Sequence, residues 1–110
     1  MKALVKKDNE YGNMQLEEID ESVVNRNQVK IKVAYSGICG SDIHSYKGEY
    51  KNLRPPVVLG HEFSGIVVDV GSNVRGIKIG DKVTSETTYY ICGKCDYCKS
   101  IDYNLCPNRK

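Results

Sequence analysis

Apolar and polar side chains alternate most clearly between Val29 and Tyr35, where Val29, Ile31, Val33 and Tyr35 are separated by Lys30 and Lys32. A period of two is the signature of a strand with one face turned inward, and on a helix the same residues would scatter around the axis. The pattern predicts a strand over 29–35 with Val29, Ile31, Val33 and Tyr35 on one face. Shorter runs predict its companions. KALVK at 2–6 reads as a first strand, and 14–19, where Met14 and Leu16 alternate with Gln15 and Glu17, reads as its partner beyond the turn signals at 8–10 and 12–13. Val57 to Leu59 leads towards a valine-rich strand at 63–70, Gly71-Ser72-Asn73 turns the chain, and a short strand over 82–85 follows Gly80-Asp81. After Cys39, Ser41 or Asp42 is placed to cap a short helix towards Tyr46. Pro55-Pro56 excludes helix or interior strand at that point. Six or seven short strands and little helix predict a mainly β fold, barrel or sandwich-like.

From Thr87 onward the periodicity gives way to tyrosines, glycine and cysteines, as in a lobe (about 87–110) held by ligands more than by a core. Cys92, Cys95, Cys98 and Cys106 have the spacing C-x2-C-x2-C-x7-C. Two-residue gaps bring successive thiolates around one small ion, and the longer gap lets the chain return to close a tetrahedron. Disulfides or free thiols are the plainer alternatives. An iron–sulfur cluster is a third, but its last gap is three residues and its fourth cysteine serves a second cluster, which has no counterpart here. A structural zinc is the better reading, with Lys94, Lys99 and Arg109 available to offset the negative charge of four thiolates.

Bulk properties narrow the function classes. At 110 residues, 40% hydrophobic and 27% charged, the chain has the make-up of one small globular domain. Sixteen basic residues against fourteen acidic ones give +2, and they are scattered along the sequence, which argues against nucleic acid. No apolar run approaches the ~20 residues that span a bilayer, and the N-terminus lacks the apolar stretch of a secretory signal. Five cysteines, four of them within fifteen residues, suggest metal ligation in a reducing compartment, hence a cytoplasmic protein.

Cys39 stands outside the cluster. By itself it reads as a small buried hydrophobe, and His61 as a satisfied histidine at a strand edge. Two features change that. Cys39 precedes Ser41 and His44, three residues apart on one helical face, and GHEFSGIVVDVGSNV (60–74) sets His61 beside Glu62 among glycines at 60, 65 and 71. An imidazole offers a neutral nitrogen to a metal, and a carboxylate can ligate or orient the ligands. Cys39 and His61 are expected to meet at a catalytic zinc.

GICGSDIHSYKG (37–48), GHEFSGIVVDVGSNV (60–74), GDKV (80–83) and CGKCDYCKSIDYNLC (92–106) together resemble the zinc-dependent medium-chain alcohol and polyol dehydrogenases, in the family's order and separations. The likeness is nearest to the sorbitol, threonine and butanediol dehydrogenase branch. It implies that residues 1–110 are the N-terminal part of a GroES-like catalytic domain: a partly open β-barrel with a short helix after Cys39 and a four-cysteine zinc lobe. It implies Cys39, His61 and Glu62 at the catalytic zinc, with Asp42 orienting His61. Ser41 would meet the substrate hydroxyl and begin a proton relay, with His44 as its outer member. The implied parent is an oxidoreductase moving hydride from a secondary alcohol or polyol to NAD or NADP, homo-oligomeric, with neither nucleic-acid nor membrane partners. No glycine-rich phosphate fingerprint follows a strand here. The nicotinamide-binding Rossmann domain is therefore expected beyond Lys110, and the 110 residues alone are expected to be inactive. A zinc-stabilised binding module without catalysis is the alternative, and it needs only the four-cysteine lobe.

Overall fold

The computed structural model describes residues 1–110. Its strands are β1 (Lys2–Lys6), β2 (Met14–Glu18), β3 (Val29–Ser36), β4 (Val57–Val58), β5 (Phe63–Val70) and β6 (Lys82–Thr84). One helix, α1 (Gly40–Tyr46), follows β3, while a single turn, α2 (Asp96–Lys99), and a 3-10 turn (Tyr103–Leu105) lie among the late cysteines. The mainly β expectation holds, with strand ends at 18 and 84 rather than 19 and 85. Two antiparallel three-stranded sheets form, ordered β2-β1-β4 and β3-β5-β6.

The β3–β5 ladder positions the chemistry. Ile31 pairs with Val67 and Val33 with Gly65, but Tyr35 pairs with Ser64, so Ala34 is an extra residue on β3. Such a bulge reverses the alternation beyond it. Tyr35 therefore leaves the face shared by Ile31 and Val33, correcting the sequence expectation, and Ser36 takes that face opposite Phe63. Gly65 permits the approach: a Cβ there would lie 2.4 Å from the Lys32 carbonyl oxygen and 2.6 Å from Ile31 Cγ2. Pairing continues past the strand end, where the Gly37 N–H donates to the Glu62 carbonyl at 2.8 Å. That register carries residue 39 up to residue 61.

On the other sheet, β1 buries Ala3, Val5 and, less expectedly, Lys6. Lys6 has no exposed surface, and its ammonium donates to the backbone carbonyls of Glu10, Gly12 (2.5 Å) and Tyr46 (3.5 Å). An amine removed from water needs such acceptors. These bonds, with Gly12 N–H donating to the Tyr46 carbonyl at 2.8 Å, fasten the loop after β1 to the last residue of α1.

Candidate metal centres

Helix α1 begins two or three residues earlier than a Ser41 or Asp42 cap would place it. Cys39 is the N-cap, in extended conformation, and Asp42 at the third helical position accepts the Cys39 N–H through Oδ2 at 2.9 Å. A carboxylate reaching back in this way satisfies an end N–H that the helix itself cannot. It also holds the cysteine backbone, and with it the thiol.

Around that thiol three donors converge. Cys39 Sγ lies 3.1 Å from His61 Nε2 and 3.0 Å from Ser41 Oγ, and Ser41 Oγ lies 3.3 Å from His61 Nε2. The other imidazole nitrogen, Nδ1, faces Asp42 Oδ1 at 3.6 Å. Asp42 thus addresses both the cysteine backbone and the far side of the histidine ring. A carboxylate on Nδ1 fixes which nitrogen is free to act as a ligand. Two donors on one zinc at ordinary bond lengths lie about 3.6 Å apart, so the thiol–imidazole spacing falls within a small side-chain rotation of a ligand pair. Gly60, with φ of 110°, supplies the backbone turn just before His61.

The remaining candidates lie further out. Glu62 is exposed and outside the converging group. Its backbone carbonyl receives Gly37 N–H and, at 3.4 Å, the Ser36 hydroxyl. His44 faces outward, and its Nδ1 lies 2.6 Å from Glu49 Oε2. That bond holds the Glu49 carboxyl below the usual range. The sequence offers a single clue to Glu49, a histidine and a carboxylate five residues apart across Gly48.

The four late cysteines gather as a second group, their sulfurs within 4.8 Å of one another. Cys92 and Cys98 are separated by 3.9 Å and Cys95 and Cys98 by 3.5 Å. Thiolates sharing a tetrahedral zinc lie about 3.8 Å apart, so both spacing and donor chemistry fit that ion. Backbone N–H groups of Lys94 and Cys95 lower the Cys92 thiol to about 6. Removal from water and the neighbouring sulfurs push Cys98 up to about 12. Four thiolates side by side repel, and a bound cation removes that conflict. Of the bases expected to offset the cluster, Arg109 donates to the Asn104 carbonyl and its N–H bonds the Cys106 carbonyl at 3.1 Å.

A cavity of about 400 Å³ opens beside Ser41, Asp42 and His61, walled by Leu53, Val57 and Val58. No helix is long and apolar enough to cross a membrane.

Comparison with known proteins places the chain in a family. The family described as "Alcohol dehydrogenase GroES-like domain" matches residues 25–110. The whole chain is 59% identical to a D-arabitol-phosphate dehydrogenase of Enterococcus avium and 57% identical to a sorbitol dehydrogenase of Halalkalibacterium halodurans, spanning 31% and 32% of their lengths. Among solved structures, galactitol-1-phosphate dehydrogenase of Escherichia coli superposes with a TM-score of 0.85 at 31% identity, over 100% of this chain and 31% of that one. The alcohol dehydrogenase TADH from Thermus sp. ATN1 gives 0.81 at 34% identity, over 99% and 31%. The chain spans about a third of the relatives it matches, and it belongs to the alcohol dehydrogenase GroES-like domain family.

Proposed function

We propose that the full-length protein is a zinc-dependent oxidoreductase that takes hydride from a secondary alcohol or polyol to NAD or NADP. In this reading residues 1–110 supply part of its catalytic domain. One observation carries the reading: a thiol, a hydroxyl and an imidazole nitrogen from two distant segments converge, beside a separate four-cysteine group. The names of the relatives cover free polyols, phosphorylated polyols and threonine, which supports a hydroxyl-bearing substrate.

Cys39 and His61 would hold the catalytic zinc, and Cys92, Cys95, Cys98 and Cys106 the structural one. Zinc, when bound, supplies the positive charge that acidifies an alcohol hydroxyl. Ser41 Oγ, within hydrogen-bond reach of both donors, is the group positioned to take the hydroxyl proton. Further along α1, His44 is the outer acceptor, with Glu49 holding Nδ1–H and leaving Nε2 open. Asp42, facing His61 Nδ1, would leave Nε2 to hold the ion, and Glu62 is the adjoining carboxylate whose backbone secures the 36–37 segment. The nicotinamide has no cradle among these residues: every strand pairing is antiparallel, with no strand–glycine–helix unit to receive a pyrophosphate.

Zinc counting by atomic absorption, together with alcohol oxidation by the full-length protein, tests the reading. Two zincs per chain are expected. One should be lost in Cys39→Ser or His61→Ala with the fold intact, whereas Cys106→Ser should lose the other and unfold the lobe. A protein with both zincs that oxidises no alcohol or polyol with either cofactor would falsify it. A single zinc, unaffected by Cys39→Ser, would favour the binding-module alternative.

A further inference from the structure

Beside the cavity at Ser41 and His61 lies a larger one, of about 980 Å³, and Tyr50 and Thr87 wall both. Lys51, Arg54, Arg109 and Lys110 line it, and no acidic residue does. None of the four cations takes part in an ion pair. The chain's net charge is only +2, so this one wall gathers more positive charge than the whole molecule has in surplus. Like charges crowded together repel, and a cleft lined by one sign attracts the opposite ion. A neutral polyol brings hydroxyl acceptors but no charge to such a wall. A phosphate monoester, carrying close to two negative charges, offers three acceptor oxygens that guanidinium groups bind in pairs.

Building on the reading above, we infer that the substrate is a phosphorylated polyol. Its phosphate occupies the basic cavity, and its reacting hydroxyl reaches past Tyr50 and Thr87 to Ser41 and His61. Arg54 and Lys51 set specificity. Both belong to the exposed loop before β4, and neither side chain makes a hydrogen bond or ion pair within the chain, so both are free to meet an anion. Arg109, already held at Asn104, forms the fixed side of the cavity.

The same chemistry could serve a phosphate of the nicotinamide cofactor, and the test separates the two. Full-length, zinc-loaded protein is assayed on five- and six-carbon polyols, each free and as its terminal phosphate monoester, with NAD and with NADP. The esters should be preferred at least about tenfold in kcat/KM, and in Arg54→Gln, and further in Lys51→Gln/Arg54→Gln, that preference should fall by about tenfold or more. Arg54→Lys, which keeps the charge, should recover part of it. Calorimetric binding of the ester without cofactor should weaken in the same order. Equal use of free and phosphorylated polyols would overturn the inference. So would variants that change the KM for NAD or NADP while leaving that of the ester alone. If no alcohol is oxidised at all, the proposed function fails, yet ester binding that depends on Arg54 would still support the anion site, and binding indifferent to Arg54 would sink it.

Discussion

Replacing Lys6 by methionine tests how the scaffold behind α1 is held. Lys6 is wholly buried, and its ammonium is the common donor to the carbonyls of Glu10, Gly12 and Tyr46. Methionine fills much of the same space but donates nothing. The Tyr46 carbonyl keeps the Gly12 N–H, whereas the Glu10 and Gly12 carbonyls lose their charged partner. Two lost hydrogen bonds to a charged donor cost about 3–6 kcal/mol, partly offset because the ammonium no longer has to leave water. A net loss of about 3 kcal/mol, local to the 9–12 loop and the end of α1, is expected. Native-state hydrogen exchange of the full-length, zinc-loaded protein reads it directly. Exchange of the Gly12 amide should speed up roughly 150-fold, the factor that corresponds to that free energy. The Val67 amide, bonded to the Asp81 carbonyl at 2.9 Å on the other sheet, should barely change. A rise at Gly12 below about fivefold, or an equal rise at Val67, would refute the reasoning.

Two further perturbations probe the strand register and the cysteine lobe. Gly65→Ala drives a Cβ into the Lys32 backbone, which cannot step aside as a side chain could, so a loss of at least about 2 kcal/mol and a fall of several degrees in Tm are expected. A Tm unchanged to within about 1 °C would mean that the close pairing at Gly65 is not required. The Tyr103 hydroxyl donates to Glu86 Oε1 at 3.0 Å, which raises its ionisation above the ordinary phenol range. A raised value in the folded state means a contribution fully present below about pH 10, the unfolded value, and lost as pH rises through the folded one. Tyrosinate absorbance should therefore show one late-ionising phenol, absent in Tyr103→Phe, and an unaltered titration curve in that variant would contradict the pairing.

What could be read from the sequence was what is encoded over short distances. Alternation and valine-rich runs over a few residues placed every strand but the two-residue β4, because side chains on a strand take opposite faces in turn whatever lies opposite them. The four late cysteines were legible as one metal group because their spacing within fifteen residues leaves the sulfurs little choice but to gather. The residues around Cys39 and His61, and then the resemblance, supplied the expectation that the two belong together.

Tertiary structure decided everything that depends on register and long-range approach. Cys39 and His61 are 22 positions apart and become neighbours because β3 and β5 pair in one particular offset. That offset includes the extra residue Ala34, which turns Tyr35 away from the face its spacing predicted, and no local pattern announces a bulge. Nothing in the strand KALVK marks Lys6 as buried, and only the loop and helix that close over it make it a buried tie. Lys51 and Arg54 are remote in sequence from Arg109 and Lys110, so charges that look scattered along the chain are concentrated on one wall only after it folds. Local geometry follows from the covalent chain, but which surfaces meet is set by the packing of segments that the sequence lists far apart.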